Sequence, residues 1–474
     1  QQGACAAAAR ATSGAAAAPP ADTSYDARLP EGRFGTVSVY IPDGPVRSVA
    51  IFLSGDGGWE LGVVNMAHAL RDMDAVVIGV DVRRYLASLA RAAQRRGAHC
   101  QMIAADLERL SHQVQKEIGM RAYHVPVLVG YSSGATVVYA ALVQSPPGTF
   151  AGALSLGFCP DQDFAGAALC RGAGLRYSPN RQHELVLEPD SALEQPWIAF
   201  QGEQDRVCEA RTTEMFAARV AHGEIVRLPL VGHGFAVTRN WLPQFRAAYA
   251  QLSEPAPTAA AAAGGISDLP LDEVHGMGAS DEFALLLTGD GGWAGLDREL
   301  AAHLAASGVP TVALNSLKYF WTERTPAQTA RDVARVLRHY LVAWNKQRVL
   351  LVGYSFGADV LPFVVNRLPP ELRARVTSVS LLGIDSNASF EVRVSDWIGS
   401  DAGGPPTRPE LAAMGHVPVL CVYGAGEADS ICPGLSAAEV TREEIGRGHH
   451  FSGEYARLAQ RILAFARSAR GPMT

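Results

Sequence analysis

The chain carries one set of short motifs twice, in the same order, which confines it to two copies of one fold. Ile51-Phe-Leu-Ser-Gly-Asp-Gly-Gly-Trp59 recurs as Leu285-Leu-Leu-Thr-Gly-Asp-Gly-Gly-Trp293, and Gly130-Tyr-Ser-Ser-Gly-Ala135 recurs as Gly353-Tyr-Ser-Phe-Gly-Ala358. Asp205 with Cys208 returns as Asp429 with Cys432, and Gly232-His-Gly-Phe235 as Gly448-His-His-Phe451. A length of 474 residues suits two domains of ordinary size. A Pro/Ala/Gly-rich stretch at 253–267 reads as a linker between domains at 33–252 and 268–474. Residues 1–32, which begin rich in Ala, Pro, Ser and Thr, read as a disordered leader. Within the second copy the apolar runs Phe283–Leu287, Val309–Leu314, Val349–Val352, Val376–Leu382 and Val417–Tyr423 alternate with amphipathic segments such as Pro326–Tyr340. Short continuous apolar runs are strands covered on both faces, so each copy is expected to be an α/β domain with a mostly parallel sheet flanked by helices.

Composition narrows the function classes. Hydrophobic residues make up 48% of the chain and charged ones 19%, which excludes a wholly disordered protein. A formal net charge of −6 offers no basic surface for nucleic acid. No apolar run approaches the roughly 18 residues a membrane helix needs. The seven cysteines form no CxxC pair and no zinc-like cluster with histidine, and no motif calls for a metal or organic cofactor. They read either as buried thiols or as disulfides of an oxidising compartment. Any bridge inside the second half must join Cys421 to Cys432, and Cys5 is the natural spare.

Gly353-Tyr354-Ser355-Phe356-Gly357 follows a strand-like run and precedes a helix-like one, the setting of a nucleophile elbow. A serine hydroxyl is a poor nucleophile near neutral pH, so it needs a base, and the base needs an orienting acid. The second half offers Ser355, Asp429 and His449 in the chain order of an α/β-hydrolase, with His450 competing as base. The first half offers Ser132, Asp205 and His233, a possible second triad. A tight strand–helix turn with an unreactive serine would account for either elbow alone, but an ordered set occurring twice favours catalysis. The backbone N–H of Phe356, with those of Gly291 and Gly292, is expected to form an oxyanion site; Ser133 and Gly57 are the counterparts in the first half.

The segments Thr288-Gly-Asp-Gly-Gly-Trp293, Leu317-Lys-Tyr-Phe-Trp-Thr-Glu-Arg-Thr-Pro326, Gly353-Tyr-Ser-Phe-Gly-Ala-Asp-Val-Leu-Pro362 and Gly448-His-His-Phe451 together resemble the VirJ/AcvB virulence-protein family. Shorter members correspond to the second half alone; longer, AcvB-like members carry both. The resemblance implies a soluble periplasmic serine hydrolase acting at the membrane surface. Its substrate would be an aminoacylated phosphatidylglycerol, lysyl or alanyl, cleaved to the free amino acid and phosphatidylglycerol. It maps the nucleophile onto Ser355, with Asp429 and a histidine at 449 or 450. The substrate ammonium calls for acidic neighbours, for which Asp290, Asp359, Asp385 and Glu427 are candidates. Lys318 to Trp321 would either wall the lipid site or close the core. The first half has Arg84-Tyr85-Leu86-Ala87 there, so it is either a second active site or a degenerate copy for membrane docking or support. Rival readings are another carboxylesterase or lipase, or a non-catalytic adaptor for secretion-system proteins.

Overall fold

A computed structural model describes residues 25–59, 61–95, 100–253, 265–276, 278, 280–393 and 403–470. Cys5, most of the expected leader and linker residues 254–264 lie outside the described residues. The first half contains β1 (Ala27–Glu31), β2 (Gly35–Tyr40), β3 (Ser48–Leu53), β4 (Ala75–Val80), β5 (Val127–Tyr131), β6 (Gly152–Leu156), the short strands β7 (Asp161–Gln162), β8 (Tyr177–Pro179) and β9 (Leu185–Leu187), then β10 (Trp197–Gly202) and β11 (Gly223–Leu228). Its main sheet runs β1-β2-β4-β3-β5-β6-β10-β11, and every pairing from β4 onward is parallel. The second half contains β12 (Leu271–Val274), β13 (Glu282–Leu287), β14 (Thr311–Leu314), β15 (Arg348–Tyr354), β16 (Val376–Leu382), β17 (Val419–Ala425) and β18 (Thr441–Arg447). Its sheet runs β12-β14-β13-β15-β16-β17-β18, antiparallel only at β12.

Both copies have helices on both faces of the sheet, the arrangement expected from the apolar runs. Alternate residues of one strand feed opposite cores: Phe283, Leu285 and Leu287 join one cluster, Ala284 and Leu286 the other. The central register is also repeated, Leu53 pairing with Gly130 and Leu287 with Gly353. Two expected boundaries are corrected. Residues 27–31, assigned to the leader, form β1, because their backbone completes an antiparallel ladder with β2. Ile266, assigned to the linker, is buried in the second-half core, so an apolar anchor closes that stretch.

Trp321 decides the reading of the Lys318–Trp321 segment. Tyr319, Phe320 and Trp321 are all buried, so they close the core and do not wall a lipid site; Lys318 is exposed. Trp321 also joins the halves. Its indole N–H donates to the Met120 carbonyl at 2.8 Å, its ring lies 5.1 Å from that of Tyr123, and its own carbonyl accepts from Lys116 at 2.5 Å. Trp321→Ala is therefore expected to cost about 3–5 kcal/mol, the usual range for emptying a buried aromatic site. Urea unfolding would show this as a lower midpoint; a loss under about 1 kcal/mol would contradict the contact.

Candidate active site

Both elbows form for a steric reason. A Cβ on Gly130 would sit 2.2 Å from the Gly134 carbonyl oxygen, and one on Gly134 would sit 2.3 Å from that of Leu53. In the second half a Cβ on Gly353 would lie 2.6 Å from the Gly357 oxygen, and one on Gly357 2.1 Å from that of Leu287. Only glycine lets strand, turn and helix approach this closely. The serine between them is forced into a rare backbone conformation: φ 53°, ψ −121° for Ser132 and φ 51°, ψ −120° for Ser355. Each serine thus sits at the C-terminal edge of the central strand, ahead of the helices Ser133–Gln144 and Phe356–Arg367.

In the first half three residues far apart in sequence meet. His233 Nε2 lies 2.9 Å from Ser132 Oγ, and His233 Nδ1 lies 2.8 Å from Asp205 Oδ2. The other Asp205 oxygen accepts from the backbone N–H groups of Val207 and Cys208, at 2.8 and 2.9 Å. That carboxylate is wholly buried, so its hydrogen bonds replace the water it has lost. Cys208 Sγ is near the same groups, but it is bound to Cys159 in a disulfide and is not a free metal ligand.

In the second half the expected acid is corrected. His449 Nδ1 is 2.5 Å from Glu427 Oε1, whereas Asp429 is exposed. The strand-end glycines explain the difference. A Cβ on Gly202 or on Gly424 would clash with the carbonyl of Val231 or of Gly448, so these glycines occupy the same place. Counting three residues on from each gives Asp205 and Glu427. Two extra residues then separate the acid from Cys432, which moved the Asp-x-x-Cys pattern out of register. The longer glutamate folds back, its second oxygen accepting from the Gly424 N–H at 2.8 Å. Burial raises the Glu427 carboxyl pKa. The bonds from His449 and Gly424, with the charges of His449 and His450, outweigh it and hold the group below the usual carboxylate range.

Of the two competing histidines, His449 is the one on the acid. His450 Nδ1 instead faces the Tyr354 hydroxyl at 3.0 Å, and burial followed by the His449 charge lowers its pKa. Among the described residues no hydrogen bond joins the Ser355 hydroxyl to His449. The ring is nonetheless in the corresponding place: a Cβ on Gly383 would be 3.0 Å from His449 Cε1, and one on Gly157 would be 3.2 Å from His233 Cε1. Serine–histidine bonds in a free enzyme are often longer than in the substrate complex.

The oxyanion expectations divide. The N–H of Gly292 is taken by the Gly289 carbonyl at 3.1 Å, so this glycine closes the turn and cannot serve as a donor. The first intrahelical bonds behind Ser355 come from Ala358 and Asp359, which leaves the Phe356 amide at the open helix N-terminus. Ser133 occupies the matching place in the first half and also donates its hydroxyl to Asp56 at 2.6 Å, a contact the sequence did not suggest. Gly57 and Gly291 sit at the third position of the two glycine turns. Of the acidic candidates, Asp359 accepts from the Asp385 N–H at 2.7 Å. Burial first, then the charges of Asp385 and Asp290, push its carboxyl well above the usual range. Asp290 and Asp385 thus act on Asp359 near one mouth. Beside it, between the halves, lies a cavity of about 220 Å³ that Glu108, Gly291, Trp293 and Lys318 help to line.

Among the described residues three disulfides form: Cys100–Cys170, Cys159–Cys208 and Cys421–Cys432. The last two fasten the loops that carry Asp205 and Glu427, since Cys208 and Cys432 follow those acids.

Solved structures align with about half of the chain, the length of one repeat. An α/β serine hydrolase homologue from Coxiella burnetii is 15% identical, covering 49% of this chain and 99% of its own, with a TM-score of 0.33. A lidless α/β serine hydrolase from Xanthomonas campestris is 18% identical, covering 49% and 96%, with a TM-score of 0.31. Est1E from Butyrivibrio proteoclasticus is 11% identical, covering 46% and 93%, with a TM-score of 0.32. No curated protein matches the chain. The model of the bacterial virulence protein VirJ matches residues 47–151 and 281–470, more than half of the chain and the whole of the second constellation. The chain therefore belongs to the VirJ family of bacterial virulence proteins.

Proposed function

We propose that the second half is a periplasmic serine hydrolase that cleaves the aminoacyl ester of aminoacylated phosphatidylglycerol. The observation that carries the catalytic part is the strained Ser355 elbow beside a histidine held by Glu427. Ser355 Oγ attacks the ester carbonyl as His449 takes its proton. The developing oxyanion faces the Phe356 amide at the helix N-terminus. Phosphatidylglycerol leaves as an alcohol, taking the proton from the imidazolium. Water then attacks the aminoacyl-serine, gives its proton to His449, and frees the amino acid. Glu427 orients the ring and balances its positive charge.

The acidic mouth supports a cationic substrate. The charges of Asp385 and Asp290 bear on the buried Asp359 carboxyl, and an ammonium group arriving there would offset them. Three disulfides fit an oxidising compartment, and among the described residues no helix is long and apolar enough to cross a membrane. The test compares lysyl-phosphatidylglycerol in vesicles with the same lipid N-acetylated on both amines. Release of the amino acid should fall by about tenfold or more on acetylation, the loss of roughly one charge-assisted contact. Equal rates would contradict ammonium recognition.

A further inference from the structure

We propose that the first half is a second, independent serine-ester hydrolase, with Ser132 as nucleophile and esters of uncharged, apolar groups as its substrate class. The family match in this half ends at residue 151, before Asp205 and His233. The geometry brings together the residues that the motif order offered. The three side chains form a continuous relay, 2.9 Å from serine to histidine and 2.8 Å from histidine to a buried carboxylate. A serine kept only for packing would not need φ 53°, a conformation that costs free energy. The acid is held by two backbone donors, and its loop is fastened by Cys159–Cys208.

The substrate class follows from comparing the two mouths position by position. Four residues after the nucleophile the second half has Asp359, and the first half has Thr136. Two residues after the glycine beneath the histidine, the second half has Asp385 and the first half has Cys159. The contact between these positions persists in neutral form: Thr136 Oγ1 donates to the Cys159 carbonyl at 2.7 Å, where Asp359 accepts from the Asp385 N–H. Asp56, the acid left at this mouth, is engaged by the Ser133 hydroxyl. The flanking loops differ too. Val207, Leu230 and Val237 are 68%, 67% and 44% exposed, on the loops that bear Asp205 and His233. Those loops are joined by bonds from Gln204 N to Val231 O and from Gln204 Nε2 to Pro229 O. Large apolar side chains left in water on the loops that carry the catalytic acid and base favour an apolar acyl or alcohol group over a charged one.

In the reaction Ser132 Oγ bonds to the ester carbonyl carbon and His233 Nε2 takes the hydroxyl proton. The carbonyl–alkoxy bond breaks, and the alcohol leaves with that proton. Water then adds to the acyl-serine through His233, releasing the carboxylic acid and restoring Ser132.

The test uses the full chain carrying Ser355→Ala, which silences the second site. A fluorophosphonate probe should form an adduct that peptide mapping places on Ser132. The same protein should hydrolyse p-nitrophenyl butyrate, at a rate that Ser132→Ala or His233→Ala added to Ser355→Ala lowers by about 10³-fold or more. It should prefer this ester at least about tenfold over the p-nitrophenyl ester of lysine, a margin of about 1.4 kcal/mol. With thermal melting unchanged, absence of both adduct and turnover would overturn the second activity. An adduct with preference for the lysine ester would overturn the substrate class. The second-half reading is tested separately, since lysyl-lipid hydrolysis by Ser132→Ala should equal that of the unmodified chain.

Discussion

Glutamine at position 427 is expected to lower kcat for the aminoacyl ester by about 10³- to 10⁴-fold, while Asp429→Asn leaves it within about twofold. Glu427 accepts from His449 Nδ1, so it selects the tautomer whose Nε2 can take a proton from Ser355. A neutral amide can present its NH₂ group to the ring and favour the other tautomer, and it no longer balances the imidazolium charge. Its volume matches the glutamate, so folding should survive. Asp429 is exposed and has no part in this relay. Steady-state kinetics on the two variants, with KM measured separately, checks the assignment. A large loss at Asp429 with none at Glu427 would restore the acid expected from the motif spacing.

A methyl group at Gly357 is expected to destabilise the second half by about 3 kcal/mol or more and to abolish its activity. The added Cβ would meet the Leu287 carbonyl oxygen at 2.1 Å and that of Thr288 at 2.8 Å, and both belong to backbone that cannot swing aside. The strand Glu282–Leu287 and the nucleophile helix would have to separate, dragging Ser355 from His449. Urea unfolding of Gly357→Ala should show this loss. Stability within about 1 kcal/mol of the unmodified chain would show that the approach is looser than described.

The sequence made the duplication, the parallel sheets and the elbows legible because each rests on local pattern: apolar runs, glycine spacing and motif order. The first triad was legible for the same reason. The second acid was not, because two similar acids sit two residues apart, and the pattern Asp-x-x-Cys drew the alignment to the cysteine. The glycine ending the strand was the better anchor, since Gly202 and Gly424 are fixed by contact with the histidine loop. The fate of Trp321 was equally hidden. Its partners Lys116, Met120 and Tyr123 lie about two hundred residues earlier, and no periodicity reports a contact between halves. The domain edges differ from the composition where a backbone ladder, or one buried side chain such as Ile266, imposes order.

The most direct test of the central claim is release of free lysine from vesicles of lysyl-phosphatidylglycerol by the unmodified chain, by Ser355→Ala and by Ser132→Ala. Ser355→Ala is expected to reduce release by about 10³-fold or more, and Ser132→Ala to leave it unchanged. Release that survives in Ser355→Ala, or none from the unmodified chain, would contradict the account.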